Sequence, residues 1–223
     1  MDMRAFSTLS AKVSTSVPGC AYPVVVGHIR DAAIRVCERT LAWRYTATAV
    51  TLTPGQAEYN FAPPPDTTVQ AVLRVELNGA PMQVLTHDAA VAMGMEWPAA
   101  TTVPSEIDEL GSQPRSIIEV SPGRYRVFPM PDAARPYVLT MTFVLKPTRD
   151  AADMDQVVFD EYEDAIVHGA LQHLLVLPGV DWSDRELAAY HAKQFLFAVT
   201  SARAKTNLGA FRGTLVARAP KFA

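Results

Sequence analysis

Between residues 157 and 204 two stretches of helical periodicity flank a hard stop, which makes an antiparallel helix pair the simplest fold. In the first stretch Phe159, Tyr162, Ile166, Ala170, Leu174 and Leu177 recur at steps of three and four. Those steps mark one face of a helix running from about 159 to 177. Asp160, Glu161, Glu163 and Asp164 crowd its opening turn, where carboxylates suit the positive end of the helix dipole. Pro178-Gly179 ends it, since proline cannot continue the ladder and glycine tolerates the turn. The second helix opens at Ser183, with Glu186 completing an S-x-x-E capping box. It continues through Leu187, Tyr190 and Phe197 to about Lys205. Gly169 and Ala170 are small enough for another helix or a neighbouring subunit to approach closely.

Upstream, a further helix fills about 24–44, with Pro23 in its tolerant first turn. Val26, Ile29, Ala33, Val36 and Leu41 form its buried stripe, Trp43 closes it, and His28, Arg30, Asp31, Arg35, Glu38 and Arg39 make its wet face. The Ser/Thr-rich lead 1–19, ending in Pro18-Gly19, reads as mobile or as lying across a neighbour. From Thr46 to Pro147 the period becomes two. Residues 46–53 and 57–61 form a strand and its return about Pro54-Gly55. Residues 69–78 and 81–85 form a hairpin about Asn78-Gly79. Thr86 or Asp88 caps a short helix through Met95 that Trp97-Pro98 ends, and 98–114 is irregular. A further hairpin spans 116–128, and 137–145 is the last strand. The fold class is therefore α+β. An N-terminal helix and a C-terminal antiparallel helix pair form a small helical bundle, with an inserted antiparallel β-lobe and an extended C-terminal arm. The divisions are 1–45 (lead and helix), 46–148 (β-lobe), 149–205 (helix pair) and 206–223 (arm).

The search for chemistry is mostly negative. His168 and His173 are five apart and so lie on different helix faces, unlike the i, i+4 pair of a zinc protease. The five histidines, His28, His87, His168, His173 and His191, fall in unrelated contexts. No G-x-S-x-G, P-loop or G-x-G-x-x-G occurs. The acids from Asp150 to Asp164 lack the glycine-centred loop of a calcium site and read as a solvated helix start. Trp43, Trp97 and Trp182 sit at helix ends and turns, where they seal core edges. Cys20 and Cys37, the only two cysteines, give no disulfide framework. No catalytic set, metal site or cofactor is expected. The net charge of −3 does not indicate a general nucleic-acid binder. No run approaches the roughly 18 residues of a membrane span, and the N-terminus lacks a signal core, so a cytoplasm-like compartment is expected.

Four segments carry a family resemblance. PGCAYPVVVGHIRDAAIRVCERTLAW (18–43) resembles the opening helix of the adaptor, or head-to-tail connector, proteins of tailed bacteriophages. Ile34 or Ile29 with Ala32-Ala33, then Cys37, Thr40 and Trp43, match that helix's pattern. TLTPGQAEYNF (51–61), followed by prolines, resembles the family's next strand. FPMPDAARPYVLTMTFVLKPT (128–148) resembles its P-x-P, long strand and K-P segment. Residues 160–195 are similar to its Gly-Ala-Leu helix, P-x-x-x-W turn and following Tyr/Phe helix. The likeness spans about 18–205, and none of its motifs is catalytic.

The resemblance implies a structural virion protein at the head-tail junction, made in the host cytoplasm. It implies a subunit of a dodecameric ring between the portal protein and the tail tube or nozzle protein, not an enzyme. Genomic double-stranded DNA would pass through the lumen without specific binding, which suits a subunit lacking clustered Lys and Arg. Tyr162, Ile166, Gly169, Ala170, Trp182 and Tyr190 are then the expected ring scaffold. The arm carries no motif of the family; by its own residues it is either a frayed terminus or a segment that binds portal through Phe211, Arg212, Leu215, Val216, Arg218, Lys221 and Phe222, basic and apolar residues with no acid among them. The alternatives are a neck or tail-completion protein at another level of the tail or, from a different class, a small β-lobed binding module or hydrolase.

Overall fold

In the computed structural model, which describes residues 2–86, 88–89 and 113–208, the chain is mixed α+β and divides into two units. A β unit combines Met1–Phe6 with Trp43–Gln156, and a helical unit combines Ser7–Ala42 with Val157–Ala223.

The helical unit begins with the lead, which folds onto its own chain. A 3-10 turn over Phe6–Leu9 runs into α1, Ser10–Ser14. Leu9, Val13 and Val17 are buried at steps of four, so this segment packs against its own chain where a loose lead was expected. Its Ser/Thr content had masked a short apolar stripe. Helix α2 spans Tyr22–Thr40, with a proline in its first turn. Its buried stripe is Val25, Ile29, Ala32, Ala33, Val36, Cys37 and Thr40. The expected Val26 and Leu41 are only half-buried. Leu41 is the C-cap, in the left-handed conformation at φ 55° and ψ 33°, and its N–H donates to the Cys37 carbonyl at 3.0 Å. That cap stops the helix before Arg44, which instead starts a strand.

The expected helix 159–177 is two helices, α3 (Gln156–Glu161) and α4 (Glu163–Leu174). Tyr162 sits between them at φ −112° and ψ 18°, in the sparsely populated bridge region. The Tyr162 N–H still reaches the Val158 carbonyl, and the Ile166 N–H reaches that of Tyr162. The ladder therefore bends without opening, and Phe159 and Tyr162 are both buried. Helix α4 ends three residues short of Leu177, which precedes Pro178 and is thereby steered away from helical angles. Helix α5 spans Arg185–Leu208, so residues 206–208, assigned above to the arm, are helical. Its cap is Asp184, not Ser183. Asp184 Oδ1 accepts from the N–H groups of Glu186 (3.0 Å) and Leu187 (2.9 Å). The Ser183 hydroxyl is used elsewhere, donating to the Leu175 carbonyl at 3.2 Å. Helix α4 packs against both α2 and α5, α2 also packs against α5, and Lys12 of α1 pairs with Glu163 of α4.

In the β unit, β1 (Met3–Ala5) pairs antiparallel with β11 (Asp153–Asp155). A five-stranded sheet is built on β10 (Val138–Pro147), which pairs with β2 (Arg44–Thr46), β3 (Val50–Thr51) and the long β5 (Thr67–Leu77). Asn78-Gly79, with φ of 51° and 79°, turns β5 into β6 (Ala80–Pro81). Positive φ at both centres is the tight hairpin geometry that Asn-Gly favours. A four-stranded sheet runs in the order β4 (Glu58–Asn60), β9 (Arg124–Phe128), β8 (Ser116–Ser121) and β7 (Gln83–Leu85).

Two expected pairings are corrected. Residues 46–53 and 57–61 are not a hairpin, because β3 pairs with β10 and β4 with β9. Pro54-Gly55 sends the chain from one sheet to the other. Residues 81–85 split between the sheets, and β7 pairs parallel with β8, so the lobe is not wholly antiparallel. Phe61, Tyr125 and Phe143 pack ring against ring at 5.8–6.2 Å between centroids, joining the sheets. Thr86 Oγ1 accepts from the Ala89 N–H at 3.2 Å, as a helix cap does. The remainder of that expected helix, with His87, Trp97 and 98–112, lies outside the described residues.

Candidate functional site

Four histidines of the helical unit, expected in unrelated contexts, fall into two clusters on α4. His168 on α4 and His191 on α5 bring their Nδ1 atoms to 2.7 Å, their ring centroids 5.0 Å apart. One neutral ring must donate and the other accept; protonating both would leave two donors facing each other. Tyr190 stands edge-on to both rings. Burial lowers the pKa of each ring below the usual histidine value; Asp164 partly offsets this at His168, and His168 lowers His191 further. In the second cluster the Arg35 guanidinium of α2 contacts His173 Nε2 of α4, which acts as acceptor. His173 is lowered by burial first, then by Arg35 and His28, against Asp31; His28 is lowered by burial and by Arg35, again against Asp31.

Both clusters join helices. Among the described residues no three His, Cys, Asp or Glu side chains are grouped to hold a metal ion. The antiparallel arrangement could have revealed the first pair, because His168 and His191 lie almost equidistant from the turn near residue 180.

The six scaffold residues divide by exposure. Ile166 and Ala170 are fully buried. A Cβ at Gly169 would stand 2.9 Å from Ala32 Cβ and 3.0 Å from the Phe195 ring. Its smallness therefore serves contacts with α2 and α5 of the same chain. Tyr162 is buried at the α3–α4 bend. Trp182 is half-buried, with its ring 3.8 Å from a Cβ built at Gly19. Tyr190 is 52% exposed, so only Trp182 and Tyr190 present surface beyond the unit. The arm residues Phe211, Arg212, Leu215, Val216, Arg218, Lys221 and Phe222 lie outside the described residues.

Sequence reasoning missed the surface of α5 as a feature. Ala188, His191, Phe195, Val199 and Ala202 are its buried stripe, while Phe197 is 72% and Leu196 57% exposed. Exposed phenylalanine beside exposed leucine marks an interaction surface more than a solvated helix face. The signal was present as an apolar i, i+7 pair, Tyr190 and Phe197, outside the buried register.

In the β unit a cavity of about 330 Å³ is lined by Val72, Leu85, Ile117, Ile118 and Met141, with Glu119 beside Tyr125. Burial, then Glu119, raises the Tyr125 phenol above its usual pKa. Thr86, Glu119 and Tyr125 are the polar groups on a wall that is otherwise apolar. No helix among the described residues is long and apolar enough to cross a membrane.

No curated protein matches the sequence. A family model described as SU10 adaptor protein matches residues 4–218, nearly the whole chain, including both units and the segments that carry the resemblance. The chain belongs to the SU10 adaptor protein family, whose members are structural head-tail adaptors of bacteriophages.

Proposed function

We infer that this chain is the repeating subunit of a ring that joins the portal to the tail and surrounds the path of the exiting genome. The observation that carries the reading is the family match over residues 4–218, on a fold whose most exposed large apolar side chains among the described residues, Tyr22, Val157, Val176, Tyr190, Leu196 and Phe197, belong to the helical unit. In this reading the helical unit builds the ring, and Ile166, Gly169 and Ala170 hold α2, α4 and α5 rigid beneath the contact surfaces. Trp182 and Tyr190 lie at its margin. The dodecameric count follows from the resemblance alone. A subunit of net charge −3 suits a lumen that lets DNA slide, because tight phosphate binding needs clustered cations.

The arm that follows α5 docks on portal. Phe211, Leu215, Val216 and Phe222 fill pockets, and Arg212, Arg218 and Lys221 meet acidic rims. The test is co-sedimentation of the purified full chain with portal rings of the same phage, at low and moderate salt. The full chain pellets with portal, and a truncation ending at Leu208 binds more weakly and with a shallower salt dependence. Absence of full-length chain from the portal pellet overturns the adaptor reading; equal binding by the truncation at both salts overturns the role of the arm.

A further inference from the structure

Two unlike apolar patches lie on the helical unit. The first is the outer flank of α5, where Leu196 and Phe197 are exposed opposite the buried stripe, with Lys193 and Arg203 exposed on the same helix. The second lies at one end of the unit. Gly19 stands against Trp182, and His28 is near enough to His173 to depress its pKa, so the first turn of α2 runs beside the end of α4. There Tyr22, Val24 and Val176 are exposed, and Asp181 and Asp184 are exposed in the adjoining turn.

The two patches differ in the charge beside them. A two-fold axis through either patch would set that patch against itself and bring like charges together, Lys193 near Lys193 or Asp181 near Asp181. A head-to-tail contact sets basic against acidic and buries both apolar sets at once. We propose that the α5 flank of one subunit receives the α2 end of the next copy, Leu196 and Phe197 against Tyr22, Val24 and Val176, with Lys193 and Arg203 facing Asp181 and Asp184. Repetition of such a contact closes into a ring when its rotation closes. The proposal rests on the ring reading and names the surfaces that build it.

The experiment uses the full chain with Cys20→Ser, assembled on portal rings and oxidised; Cys37 is buried and stays. A chain carrying both Val24→Cys and Phe197→Cys gives a ladder of disulfide-linked oligomers on a non-reducing gel, and neither single variant gives dimers. In a second arm, Lys193→Glu lowers the copies bound per portal about tenfold at low salt, and adding Asp181→Lys to the same chain restores them. Wild-type binding in many copies without a ladder, or dimers from either single-cysteine variant, overturns the assignment of surfaces and leaves the ring reading standing. Wild-type chain that does not bind portal overturns the ring reading and this proposal with it.

Discussion

At the scale of single residues, two positions decide how the helical unit holds together. Gly169 faces Ala32 and Phe195 with no room for a Cβ. Gly169→Leu should cost about 1–3 kcal/mol by overpacking. Gly27, in the same unit, has no neighbouring atom within 4 Å of a built Cβ. Gly27→Ala should stabilise by up to about 1 kcal/mol through helix propensity. Thermal unfolding of the two variants should move in opposite directions, and a Gly169→Leu protein as stable as wild type would remove the close approach. The histidines set a pH dependence. His168 and His191 titrate below the usual 6.5 in the folded chain. The unfolded chain therefore binds more protons as pH falls below that value, and stability falls with it. The contribution of the pair is complete above pH 6.5 and is lost as pH drops toward the lowered folded values. Urea midpoints should be lower at pH 5.5 than at 7.5, and the gap should shrink in the His168→Gln, His191→Gln double variant. An undiminished gap would place the acid sensitivity elsewhere. These residues were in plain view in the sequence, but only the antiparallel register pairs His168 with His191, and spacing within one helix is silent on that.

Among the elements, helices were more legible than strand pairings. Steps of three and four located α2, α4 and α5, because one buried face repeats with the helix itself. The start of α5 was missed by one residue because Ser183 and Asp184 are both good caps, and only the bond from Ser183 to Leu175 removes the serine from that role. Asp184→Ala should cost about 1 kcal/mol, more than Ser183→Ala. The reverse order in chemical denaturation would restore the capping box. The bend at Tyr162 has no proline or glycine to announce it. Strand partners were less legible still. Pro54-Gly55 looks the same whether the chain folds back or crosses to a second sheet, and the choice rests on distant strands β9 and β10. The aromatic contact of Phe61, Tyr125 and Phe143 joins those sheets. Phe143→Ala should cost about 3–5 kcal/mol, and a loss under 1 kcal/mol by calorimetry would show that the sheets are held otherwise.

For the whole molecule, each unit is assembled from two separate stretches of chain, with the first six residues given to the β unit and the next thirty-six to the helices. That division could not be read from composition, because the polar lead hides Leu9, Val13 and Val17 at helical spacing. The role of the molecule was legible only through the order of its segments, since no single motif carries chemistry and the family match spans the same segments. What the fold adds is the exposed apolar side chains of the helical unit, Tyr22, Val176, Tyr190, Leu196 and Phe197 among them. The most direct measurement is electron microscopy of the full chain bound to purified portal rings. The account predicts a closed ring of adaptor density coaxial with the portal, continuous from subunit to subunit through the helical units, around an open lumen wide enough for duplex DNA. Isolated subunits scattered on the portal without lateral contact, or a plug filling the channel, would contradict it.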